Sequence, residues 1–117
     1  MNYISTRGKI KKDNSVSSMF AIKTGLAEDG GLFVPEKIPT LALDSVEKLC
    51  GLDYPHRAAE ILSMFLTDYD KEYLLESAQK AYSADKFPGG AAPVAKLDNN
   101  NFVLELWHGP TCAFKDM

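Results

Sequence analysis

The sequence predicts an α+β chain: a mostly helical stretch with a few short strands, followed by a β-hairpin. Three observations carry this expectation. Between Ser17 and Tyr82, apolar residues recur at three- and four-residue spacing in several capped segments, the pattern of amphipathic helices. Between Pro93 and Trp107, two short apolar runs flank Asp98-Asn99-Asn100-Asn101, a turn composition that tolerates positive φ. The two textures meet at Phe87-Pro88-Gly89-Gly90, the candidate boundary.

The elements follow in order. Asn2 to Thr6 mixes β-branched and aromatic residues and reads as a short strand, left by a basic, polar loop from Arg7 to Asn14. Ser17 is placed to cap a helix carrying Met19, Ile22 and Leu26 on its core face. Gly25 would end that helix in the left-handed conformation that glycine adopts cheaply. Asp29-Gly30-Gly31 make a turn into an extended Leu32-Phe33-Val34, stopped by Pro35. Asp44 is read as the cap of Ser45 to Cys50, with Gly51 as terminator. Pro55 suits the first turn of a helix with Ala58, Ile61, Leu62, Phe65 and Leu66 on one stripe. Asp70 opens a further helix with Leu74, Ala78, Ala81 and Tyr82 on one face. Nothing polar converges on these stripes, so they are read as core.

Composition narrows the function classes. Apolar residues make up 45% of the 117, charged residues 25%, and the formal charge is -3. That balance fits a globular protein and argues against nucleic acid as partner. No apolar run reaches the roughly 18 residues of a membrane span, and Met1 to Asn14 lacks a signal peptide's apolar core, so the expected setting is cytoplasmic, without a membrane partner. Cys50 and Cys112 are too few for a disulfide framework and are read as reduced packing residues.

The chemistry concentrates in Glu105 to Met117, ELWHGPTCAFKDM. Gly109-Pro110 turns the chain after a strand, and Thr111 is placed to cap a following helix through its hydroxyl, which would set Lys115 about one turn from the helix start. Helix polarity and the apolar neighbours Ala113 and Phe114 both disfavour an ammonium there. Two readings of Lys115 stand at this point: a nucleophilic amine of the Schiff-base type, or a solvated side chain paired with Asp116. A phosphate loop is excluded, since Phe114 and Asp116 stand where the Walker pattern needs glycine and a hydroxyl. No metal site is expected, because His108 and Cys112 flank a Gly-Pro that prevents helical presentation.

A resemblance decides between the readings. ELWHGPTCAFKD closely resembles the segment around the cofactor lysine of the threonine synthases, pyridoxal-phosphate enzymes of fold type II. YISTRG, TGLAEDGGLFVPEKIP, AAEILSMFL, KAYS and APVAKL occur in the order and spacing of that family's N-terminal region. Trp107 and Cys112 depart from its usual phenylalanine and leucine, and both remain apolar. The resemblance implies residues 1–90 as an N-terminal domain and 91–117 as the truncated start of an α/β catalytic domain. It implies pyridoxal 5'-phosphate as cofactor, held through a Schiff base to Lys115, which is also the catalytic residue. His108, Thr111 and Asp116 would lie near the cofactor, either contacting it or shaping the turn. The implied substrate is O-phospho-L-homoserine, converted with water to threonine and phosphate. The chain by itself is expected to be inactive, since the remaining ligands of cofactor and substrate lie beyond it in the family, and a dimer of the truncated chain is one expected consequence of the cut.

Three readings stay open: a threonine synthase, a related phospho-lyase, and a non-catalytic interaction domain. Tyr3, Ser5, Thr6 and Arg7 would either reach the substrate cleft or anchor an edge strand against the catalytic domain. The Asp29–Gly31 turn is read as structural. The hairpin should expose Phe102, Leu104 and Leu106.

Overall fold

In the computed structural model, which describes residues 1–8 and 14–117, strand β1 (Tyr3–Ser5) opens the chain. Helix α1 spans Ser18–Thr24, and strand β2, Phe33–Pro35, pairs antiparallel with β1 in the register Tyr3↔Pro35, Ile4↔Val34 and Ser5↔Phe33. Helices α2 (Leu43–Cys50), α3 (Tyr54–Phe65) and α4 (Lys71–Ala81) follow, then the hairpin of β3 (Val94–Lys96) and β4 (Phe102–Leu104). A 3-10 turn spans Phe114–Asp116. The fold is thus a small mixed helix–strand arrangement, dividing into compact units Met1–Leu75 and Glu76–Met117. Most of the expected loop from Arg7 to Asn14 falls on residues 9–13 and lies outside the described residues.

In the first unit, a cluster of short-range polar contacts joins β1 to the Asp29–Gly31 turn. Ser5 Oγ donates to Asp29 Oδ1 at 2.6 Å, and the same oxygen accepts from the Gly31 amide at 2.9 Å. Thr6 Oγ1 accepts from the Leu32 amide at 2.9 Å, and Arg7 Nη1 donates to the Asp29 carbonyl at 3.3 Å. Ser5 is buried, so its hydroxyl needs these partners. A side chain at Gly31 would have its Cβ 2.2 Å from Ser5 Oγ, so glycine is required there for space. Tyr3 is buried on the same strand and its hydroxyl donates to the Phe65 carbonyl at 3.3 Å. The four residues of YISTRG singled out in the sequence therefore anchor within their own unit, three of them on the turn and Tyr3 on the end of α3.

Helix ends follow local chemistry in most cases. Ser17 caps α1 by accepting from the Phe20 amide at 3.1 Å, and Gly25 ends it at φ 78°. Asp68 adds a second acceptor at this end, taking the Met19 amide at 2.8 Å and a hydrogen bond from the fully buried Ser18 hydroxyl. Asp53 caps α3 through the His56 amide at 3.0 Å, with Pro55 in the first turn. Asp70 accepts from the Glu72 amide at 2.8 Å at the start of α4. Asp44 does not cap α2: the helix begins at Leu43 behind Ala42, and Asp44 sits inside its first turn. The carbonyl end of α2 is met instead by Arg57, whose guanidinium donates to the Leu49 carbonyl at 3.1 Å and the Leu52 carbonyl at 2.8 Å. A cation there opposes the helix dipole's negative end.

The apolar stripes divide differently from expectation. On α1 the buried positions are Ser18 and Ala21, while Met19, Ile22 and Leu26 are about half exposed. Ile61 and Leu62 of α3 are exposed and Ala59 is the buried residue, whereas Leu74 and Ala78 of α4 are buried as expected. Periodicity identifies which residues share a face; it does not identify what covers that face. Among the described residues no helix is long and apolar enough to cross a membrane.

Gly31→Ala tests the polar cluster. Its Cβ displaces the Ser5 hydroxyl, and the expected loss is about 1–3 kcal/mol, the ordinary range for overpacking a filled site. Thermal or urea unfolding of the two variants side by side measures it. Ser5→Ala,Gly31→Ala should recover part of the loss by removing the clashing oxygen.

Candidate active-site loop

The hairpin delivers the loop that carries the sequence motif. Its ladder pairs Val94↔Leu104, Ala95↔Val103 and Lys96↔Phe102, and Asp98 ties the turn by accepting from the Asn100 and Asn101 amides, each at 3.0 Å. The outward positions Val94, Phe102 and Leu104 are more than half exposed, while Leu106 is only partly so. The Glu105 amide donates to the Pro93 carbonyl at 2.9 Å, extending the pairing one residue beyond β4. From there the chain enters Trp107-His108-Gly109.

The loop closes through one carboxylate. Asp116 Oδ2 accepts from the Thr111 amide at 2.8 Å, and Asp116 Oδ1 accepts from the Thr111 hydroxyl at 2.7 Å. The Cys112 amide donates to the Gly109 carbonyl at 3.0 Å. Asp116 lies so close over Gly109 that a Cβ on Gly109 would fall 2.5 Å from the Asp116 Cβ. Cys112 takes φ 55°, a left-handed conformation uncommon outside glycine, asparagine and aspartate. That kink delays the helical turn to Phe114. Thr111 therefore does not cap a helix with its hydroxyl: the turn's N-cap is Ala113, without a side-chain cap bond, and the Thr111 hydroxyl acts as donor to Asp116.

This closure decides which groups are engaged. The Thr111 hydroxyl and then the Thr111 amide hold the Asp116 carboxyl below the ordinary aspartate range. Asp116 bonds to Thr111, and the local Lys115–Asp116 pair weighed from sequence does not form among the described residues. Lys115 is exposed, as is Phe114 beside it, so the desolvating neighbours expected from sequence do not cover the amine in this chain. His108 forms a separate contact: its Nε2 lies 2.6 Å from Glu105 Oε2, both side chains about three-quarters buried, and its ring stacks on Trp107 at 5.6 Å. The loop thus brings Thr111 and Asp116 together, leaves Lys115 outward, and joins His108 to Glu105. Glu105 had no role in the sequence reading; the signal was its place at the end of a strand three residues before a histidine. Cys50 and Cys112 are free thiols, both exposed and not packed.

What the geometry defines is a protein segment that presents a primary amine from a tightly closed loop behind a hairpin. Comparison with known proteins places it further. The family model for the threonine synthase N terminus matches residues 2–82. Threonine synthase of Pseudomonas aeruginosa is 39% identical over 99% of this chain and 24% of its own length. Threonine synthase-like 1 of Homo sapiens is 40% identical over 98% of this chain and 17% of its own length. The crystal structure of pyridoxal-phosphate-bound threonine synthase from Brucella melitensis superposes with a TM-score of 0.85 at 36% identity, covering 99% of this chain and 24% of that one. The chain belongs to the threonine synthase family, matching its N-terminal part. It spans about a quarter or less of the length of these relatives.

The Asp116 contacts carry a pH signature. A depressed folded-state value means the contact's stabilisation is complete above the ordinary aspartate value of about 3.9 and is lost as pH falls through the lower folded value. The Thr111 amide resonance should therefore hold its position down to pH about 3.9 and move only below it. Asp116→Asn should remove that titration.

Proposed function

We propose that this chain is the N-terminal part of a threonine synthase that converts O-phospho-L-homoserine and water to L-threonine and phosphate with pyridoxal 5'-phosphate. In this reading residues 1–90 form the N-terminal domain and residues 91–117 begin the catalytic domain. The single observation that carries it is the closed loop: Asp116 is engaged by Thr111, so Lys115 is presented with no hydrogen bond or ion pair among the described residues. A primary amine without a competing partner is what an aldehyde cofactor requires of its protein. The pyridoxal-phosphate-bound Brucella melitensis relative, similar over 99% of this chain, supports the same cofactor here.

Each residue then has a task. Lys115 would hold the cofactor through Nζ, and the same amine, when not bonded to it, would accept and return protons at the substrate's α- and β-carbons. When bound, pyridoxal phosphate supplies the aldehyde and an electron-withdrawing ring that stabilises negative charge on the substrate carbon. Thr111 and Asp116 fix the backbone from which Lys115 projects, and His108 would serve near the cofactor as a hydrogen-bonding group. The substrate is a small phosphorylated amino acid, and the setting is the cytoplasm. In this reading the ligands for the cofactor's phosphate and for the substrate come from outside these 117 residues, which alone would be inactive. The exposed Val94, Phe102 and Leu104 would pair two copies of the isolated chain, which sedimentation equilibrium reads directly.

A second reading rests on the 40% identity to threonine synthase-like 1, beside 39% to the bacterial synthase. It keeps the amine and the cofactor and changes the product: elimination of phosphate without threonine formation. Product analysis of the intact protein with O-phospho-L-homoserine separates the two.

Borohydride reduction of the intact protein in the presence of pyridoxal phosphate should attach the cofactor to Lys115. Lys115→Ala should abolish the attachment and lower turnover by at least about 10²–10⁴-fold, the share that a positioned proton carrier supplies. Attachment at another lysine, or an alanine variant of unchanged activity, would defeat the assignment.

A further inference from the structure

The histidine of the loop is held from two sides, and neither contact belongs to the Lys115–Asp116 arrangement. On one side Glu105 Oε2 lies 2.6 Å from His108 Nε2, with the two side chains 23% and 24% exposed. A distance that short in a partly buried pair is that of a charge-assisted hydrogen bond to a carboxylate, which needs a proton on Nε2. On the other side stands Gly89. An ideal Cβ on Gly89 would fall 2.7 Å from His108 Nδ1 and 3.0 Å from Cε1. Gly89 does not occupy the left-handed region, so its backbone would accept alanine; only the histidine ring forbids it. The empty position at Gly89 and the filled one at Glu105 therefore face opposite nitrogens of one ring.

From this geometry we infer that Glu105 is a positioning residue for His108: it engages Nε2, leaving Nδ1 as the acceptor nitrogen, while Gly89 keeps that nitrogen clear of side chain. The ring nitrogens of a histidine are chemically distinct, and the partner of one sets the role of the other. Nδ1 has no hydrogen bond among the described residues. Three features hold the ring in one orientation: the Glu105 bond, the stack on Trp107 at 5.6 Å and 21°, and contact with Gly89. Glu105 is itself fixed, because its amide bonds to the Pro93 carbonyl in continuation of the hairpin ladder. The strand thus transmits its register to the histidine through a carboxylate. Functionally, this inference rests on the active-site reading of the loop: His108 would offer a hydrogen-bond acceptor, not a donor, to whatever binds beside Lys115.

The test reads the ring directly in the 117-residue chain by proton–nitrogen NMR. The Nε2–H proton should appear as a resolved downfield resonance, with Nδ1 showing the shift of an unprotonated nitrogen. Glu105→Ala should lose that resonance to solvent exchange, while Glu105→Gln, which keeps a neutral acceptor of the same shape, should retain it at a less downfield position. Gly89→Ala should shift or broaden it by displacing the ring. Backbone amide spectra of each variant report whether the hairpin has survived; Glu105→Gln keeps the packing volume if Glu105→Ala disturbs it. An Nδ1–H histidine in the unsubstituted chain, or an Nε2–H signal unmoved by Glu105→Ala in a folded hairpin, overturns the inference. The intact protein separates this result from the cofactor assignment. If Lys115 is not labelled by borohydride while the Nε2–H signature holds, the cofactor reading fails and the positioning stands; labelling without the signature gives the reverse.

Discussion

A carboxylate that reaches back five residues organises the loop that carries Lys115. With both oxygens of Asp116 bound to Thr111, the segment from Gly109 to Asp116 becomes a closed loop, and closure imposes the rest. It brings the Asp116 side chain onto Gly109, where no side chain fits, and it accompanies the left-handed turn at Cys112. It also removes the one anion adjacent to Lys115 from contention. An aspartate next to a lysine ordinarily suggests mutual neutralisation. Here two directed hydrogen bonds, one from an amide and one from a hydroxyl, outcompete an exposed ion pair, which contributes at most about 1 kcal/mol. The amine is left without an ion pair among the described residues while its neighbour bonds to Thr111.

The first unit uses the same device at its other functional-looking motif. Asp29 Oδ1 accepts from both the Ser5 hydroxyl and the Gly31 amide, and Gly31 is bare because Ser5 occupies the space. Ser5, Thr6 and Arg7 tie a strand to a turn through these bonds. Buried hydroxyls and carboxylates with satisfied partners stabilise an arrangement; left unpaired they would each cost on the order of 1–3 kcal/mol. The contrast with Lys115 is instructive, since Ser5 is buried and engaged whereas the lysine is exposed and unengaged.

The outward apolar residues give the fold a second character. Met19, Ile22 and Leu26 on one unit, and Val94, Phe102 and Leu104 on the other, are each about half exposed or more. The buried positions are instead dominated by small side chains such as Ala21, Ala27, Ala59, Ala78 and Ala91. Exposed apolar residues grouped on one face form a surface suited to a covering layer. Local elements and their caps form without that layer because they rest on backbone and short-range side-chain hydrogen bonds.

Much was legible from residues alone because it is local. Ser17, Gly25, Pro55 and Asp70 act where their chemistry says, and the asparagine-rich turn joins two strands in register, since caps and turns are satisfied by residues two or three positions away. The family, too, was readable in ELWHGPTCAFKD and the segments before it. The tertiary structure decided what spacing leaves open. It set the direction of the Thr111–Asp116 contact and the absence of a cap from Asp44. It also decided which side of α1 is covered, and that Glu105 and Gly89 meet His108 on opposite nitrogens. Those outcomes depend on which donors and acceptors, distant or only loosely constrained in sequence, come within about 3 Å of each other, and only the folded path of the chain sets that distance.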